Sequence, residues 1–173
     1  MSGENTTDKV RIPDFAGAIA DPQGLAAALT EPVHAAMRAA LKAHFEQEGR
    51  PDAWATLAES TVKERQRLLK KGLLAAGAGE TNPILFRTGA LKKELLDPGA
   101  KGHVETAKVV EGAVVLTMGA SSPQARGLNN GYAEGNLPPR PIAVVSREAA
   151  REIAKIAAAA AVEHIRANLR RGR

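Results

Sequence analysis

Pro138, Pro139 and Pro141, set around Arg140, constrain this chain more than any other stretch. Each ring fixes φ near about −65°, removes a backbone donor and drives the preceding residue toward extended geometry. The segment from Tyr132 to Ser146, YAEGNLPPRPIAVVS, therefore reads as a stiff, extended connection between a glycine-rich strand region and a C-terminal helix. Arg140 offers five donors and no acceptor from a rigid backbone, so binding a partner would cost it little entropy. A well-made strand-to-helix connection is the plain alternative.

The elements around that connection follow from apolar spacing. Val33, Met37, Leu41 and Phe45, with Ala36 and Ala40, recur at three- and four-residue steps from Pro32 to Gly49 and predict a helix. Asp21-Pro22 marks the start of a shorter helical piece before it, and Thr30-Glu31-Pro32 repeats the start signal. Trp54 and Leu57 are two apolar anchors in a polar loop, and Ser60 or Thr61 caps a second helix from about Val62 to Leu69. Gly72 to Asn82 is a glycine-rich linker, followed by a Thr88-Gly89 turn and a helical turn carrying Leu91, Leu95 and Leu96, which Asp97-Pro98-Gly99 ends. His103–Val110 and Ala113–Met118 read as strands of a hairpin turned at Glu111-Gly112. Ala120–Gly131 reads as a long projecting loop, and Ile142–Val145 as a last short strand. From Ser146 to about Arg170 the chain is a helix roughly 36 Å long at ~1.5 Å per residue. The expected architecture is α+β: a small antiparallel sheet packed against two long helices, one N-terminal and one C-terminal. Residues 1–20 form a flexible arm and 21–173 a single domain.

The residue types exclude several chemistries. The chain has no cysteine, which removes disulfides, thiolate metal sites and a cysteine nucleophile. His34, His44, His103 and His164 do not form a metal-binding pattern, and no P-loop, GxSxG, HExxH or GxGxxG is present. Glu46 with Glu48, and Glu94 with Asp97, are the acidic pairs on offer; surface carboxylates at helix ends are the ordinary reading. Ser121 and Ser122, with Gly127 and Gly131, could cradle an anion through backbone amides, against a plain loop. No catalytic residue, cofactor or metal is expected. No apolar run approaches the ~20 residues of a membrane span, and MSGENTTDKV lacks the apolar core of a signal peptide, so a soluble, cytosolic chain is expected. The net charge of +5 is concentrated in Lys63–Lys71 and Arg166–Arg173. The first run reads as a solvated helix face and the second as cations offsetting a helix dipole; a basic nucleic-acid-binding module is the alternative function.

Three motifs, in order, carry a resemblance: PDAWATLAESTVKER at Pro51–Arg65, PILFRTGALKKEL at Pro83–Leu95, and YAEGNLPPRPIAVVS at Tyr132–Ser146. Together they resemble the phage virion morphogenesis, or tail-completion, proteins of Mu-like tailed phages, over about Leu25 to Ile156. The matching positions are Trp54, Leu57, Thr88, Gly89, Leu91, Tyr132 and Ala133, with Pro139, Arg140 and Pro141. The chain departs at Glu134-Gly135-Asn136, where relatives carry a histidine followed by glutamine. The resemblance implies a non-catalytic neck protein of the virion, assembled in the host cytoplasm as a six-fold ring between head and tail. DNA would pass through its lumen without sequence-specific binding. The implied neighbours are other copies of the chain, head-connector or closure proteins, and tail-terminator or tail-tube proteins, with no membrane. Tyr132, Pro138, Pro139, Arg140 and Pro141 are the expected interface residues, and Arg140→Ala is expected to impair ring formation more than folding.

Overall fold

A computed structural model describes residues 6–11, 21–49, 54–74, 89–131 and 138–171, with only the backbone of 6–11. Thr88, Tyr132, Ala133 and Glu134-Gly135-Asn136 lie outside these residues, as do most of the expected linker and the rest of the expected arm. The chain runs β1 (Thr6–Arg11), α1 (Pro22–Glu46), α2 (Glu59–Lys70), α3 (Ala90–Leu96), β2 (His103–Val110), β3 (Ala113–Ala120), α4 (Pro123–Asn130) and α5 (Arg147–Arg171). This is the expected α+β arrangement, a small antiparallel sheet with long helices near both ends.

α1 is longer than its apolar spacing after Pro32 alone predicts. The Asp21 side chain accepts from Gly24 N at 2.8 Å, Pro22 occupies the first turn, and the helix runs through Pro32 without a break. An interior proline costs about 3 kcal/mol. Leu25, Ala26 and Leu29 continue the buried stripe of Val33, Met37, Leu41 and Phe45, and burying them against the core outweighs that cost. α2 begins at Glu59, so Ser60 and Thr61 lie in its first turn and cap nothing, and its basic run is solvent-facing apart from buried Arg65.

The sheet has three strands in the order β1-β3-β2, all antiparallel. Glu111 and Gly112, at φ 51 and φ 79, supply the two left-handed residues of a tight hairpin turn. Part of the expected N-terminal arm is thus a strand, received by the open edge of β3. β3 contributes Leu116 and Met118, both fully buried, to a core shared with α1, α3 and α5. α5 starts where Ser146 Oγ accepts from Ala149 N at 3.1 Å. It lies antiparallel to α1, with the end of α1 and the start of α5 around one groove and His164 beside Gly24, and it buries Ile153, Ala157 and Ala161, the two alanines letting the helix axes approach.

Two further expectations fail. The expected loop 120–131 contains α4, initiated by Ser122, whose Oγ accepts from Ala125 N at 3.2 Å with Pro123 in the first turn. Ser-Pro is the same start signal as Asp21-Pro22, and Gly131 at φ 73 closes the helix. Ile142–Val145 forms no strand; Ile142 N donates to Asn129 Oδ1 on α4 rather than to a sheet edge.

Candidate functional site

The proline turn is held from three directions. Arg140 N donates to Leu128 O at 2.7 Å and Ile142 N donates to Asn129 Oδ1 at 3.2 Å, which fastens it to the end of α4. Pro141 O accepts from Trp54 Nε1 at 2.8 Å and from His44 Nε2 at 3.0 Å. A carbonyl can only accept, so Nε2 of His44 carries the proton. Trp54 meets His44 and Phe45 edge-on, with ring centroids 5.3 and 5.2 Å away. Gly49, at φ 85, permits that packing: a Cβ there would lie 2.5 Å from Trp54 Cδ1. The expected anchoring role of Trp54 is therefore realised, while Leu57 is only half-buried.

Arg140 does not project. It is 4% exposed, and its guanidinium donates to Ala55 O at 3.1 Å and Thr56 O at 3.4 Å. Burial lowers its pKa below the ordinary guanidinium value, and among the described residues no carboxylate pairs with it. The guanidinium stitches the Trp54 loop to the turn, so Arg140→Ala is expected to cost folding stability as well. The surface of the turn is made by Pro139 and Pro141, both exposed, with Pro138 half-buried. Beyond them, exposed Val144 borders a groove of about 750 Å³ between α1 and the start of α5, lined by Ala40, Ala43, Gln47, Val145 and Arg147 among others. Gly89 and Leu91 lie elsewhere: Gly89, at φ 75, starts α3, and Leu91 is buried in the core.

A second polar cluster carries no signature in the sequence. Glu94, expected at the surface, is 6% exposed; Oε1 accepts from Ser122 N at 2.7 Å and Oε2 from Ser122 Oγ at 2.6 Å. The anion cradled at Ser122 is the protein's own carboxylate. Gly102, at φ 92, leaves room for it, since a Cβ there would fall 2.3 Å from Glu94 Oε1. Nearby, Glu105 accepts from Arg38 at 2.6 Å, and Arg38 also holds Glu31 at 2.8 Å. His103 Nδ1 donates to Glu94 O at 2.8 Å, its Nε2 lies 3.2 Å from Glu105, and His34 Nδ1 lies 3.8 Å from Glu105. These contacts tie α1, α3 and β2 together. Of the other expected acidic groups, Glu46 lies 4.0 Å from Lys42 on the surface and Asp97 accepts from Gly99 N. Among the described residues no group of three or more His, Cys, Asp or Glu converges on a metal position, and no helix is long and apolar enough to cross a membrane.

His34 makes stability depend on acid. Burial lowers its pKa below the ordinary 6.5, against the opposing pull of Glu105. The unfolded chain then binds a proton that the folded chain resists, so stability is complete above about pH 6.5 and falls as pH drops through the window below it. His34→Gln is expected to flatten that acid limb in urea titrations between pH 7 and pH 5; an unchanged limb would place the dependence on other groups.

Comparison with family models, with curated proteins and with solved structures gives no match.

Proposed function

We propose that this chain is a structural subunit of a tailed-phage neck, a ring between head connector and tail through which DNA passes, and that it catalyses nothing. Three spaced motifs support the reading. The observation that carries it is the proline turn: a surface formed by Pro139 and Pro141 over a backbone whose carbonyl and amides are already bonded inside the subunit. A docking edge that is rigid before association loses little entropy on binding. The turn runs on into Val144 and the groove beside α5, a contiguous surface suited to the heterologous contacts that close a ring. Arg140 acts in this reading as the residue that holds the edge in shape.

Val144 is 37% exposed, so Val144→Glu should leave the melting temperature nearly unchanged while shifting the solution mass from ring to monomer and blocking head-tail joining. Unaltered assembly would remove this surface from the interface. Cryo-microscopy of particles carrying the protein tests the broader reading, and density away from the head-tail junction would end it.

A further inference from the structure

α5 packs one face on α1 and leaves the opposite face bare. Ile153, Ala157 and Ala161 are its buried residues, and exposed Ala159 stands on the far side of the helix from them. Four pairs of residues lie at equal separations before and after Ala159: Glu148 with Arg170, Glu152 with Arg166, Lys155 with Glu163, and Ile156 with Val162. At about 100° of rotation per residue, every one of them falls within about 60° of Ala159. They and Ala159 are all that α5 places in that sector, and all are exposed. Each charged pair is of opposite sign, so the face complements itself when reversed.

The helix dipole alone does not produce this pattern. It favours acids early and bases late, yet Lys155 precedes Glu163 and the two still match. Arg147 and Arg151, early cations with no acidic counterpart beyond Ala159, lie outside the sector.

We propose that α5 pairs antiparallel with α5 of a second copy of this chain, about a two-fold axis at Ala159. The proposal goes beyond the neck reading and does not rest on it: a ring needs a heterologous contact, whereas this one is isologous and closes at two copies. Glu148 then meets Arg170 of the second copy, Glu152 meets Arg166 and Lys155 meets Glu163, each twice by symmetry, along about 33 Å of helix. Within one helix Lys155 Nζ lies 2.6 Å from Glu152 and Arg166 lies 3.5 Å from Glu163. Pairing joins these into a closed ring of four alternating charges, Glu152 and Lys155 with Glu163 and Arg166 of the second copy. Ala159 meets its own symmetry mate, and its small side chain lets the axes approach. Ile156, 37% exposed, and Val162, 44% exposed, flank it and lose apolar surface to the second copy. A parallel alignment would set every charge against its own kind, so the charges fix the direction. Exposed ion pairs give orientation more than affinity, and a single helix face is an interface below about 1,200 Å², so the pair separates on dilution.

The test exploits the absence of cysteine from the chain, since Ala159→Cys places a single thiol at the two-fold axis. Concentrated full-length protein oxidised with copper-phenanthroline should form a covalent dimer on non-reducing gels roughly tenfold faster than Arg151→Cys, because pairing raises the effective concentration of the Ala159→Cys thiols alone. In the Ala159→Cys chain, Glu152→Arg sets arginine against Arg166 of the second copy and should slow cross-linking about tenfold; adding Arg166→Glu should restore it. Positions 152 and 166 are about 21 Å apart within one helix, so the rescue has to come from a second copy. Equal rates for the two cysteines, or a reciprocal swap that fails to rescue, would overturn the pairing.

Discussion

Arg140→Ala should destabilise the subunit by about 2 kcal/mol, measured by urea denaturation, because the carbonyls of Ala55 and Thr56 lose a charged donor in a partly buried setting. The lost side chain also leaves a void beneath the Trp54 loop, which the rigid prolines cannot close. Arg140→Lys should recover only part of the loss. A single ammonium cannot reproduce a planar fork reaching two successive carbonyls. Trp54 fluorescence reports the same event locally, since its indole shares Pro141 O with His44. A variant that assembles poorly yet melts like the parent would return Arg140 to the surface role its sequence context suggests.

Glu94→Ala should cost about 2 to 3 kcal/mol, because one carboxylate holds both the amide and the hydroxyl of Ser122 at the start of α4. Ser122 Oγ is also the cap for Ala125 N, so its loss of position should fray α4. Hydrogen exchange at Ala125 and Arg126 is the direct readout, and faster exchange confined to α4 is expected before global unfolding. α4 in turn supplies Leu128 O and Asn129 Oδ1 to the proline turn. Glu94→Ala should therefore loosen the turn from a distance, while Glu94→Gln, which keeps an acceptor for Ser122 N, should retain most of the stability. Unchanged exchange in both variants would show that Ser122 caps α4 without help.

The sequence by itself determined the elements whose stability is local. The 3.6-residue apolar period of α1 and α5, the Asp21 and Ser146 caps, the Glu111-Gly112 turn and the stiffness of Pro138 to Pro141 all arise from interactions within a few residues, and spacing reveals them. α4 is also within reach through Ser122-Pro123, but its weakly apolar sequence reads as a loop. Only the tertiary structure decided which polar groups are inside. Glu94 and Arg140 look like surface residues because each carries a charge for which the neighbouring sequence offers no buried partner. Their partners stand 28 and 85 residues away, at Ser122 and Ala55, and burial of a charge is settled by whether such distant donors and acceptors arrive to satisfy it. The continuation of α1 through Pro32 has the same origin, since core contacts outweigh a local penalty. So too does the choice of the inward face of β2 and β3, because alternation along one strand has no meaning until register fixes which face meets the helices.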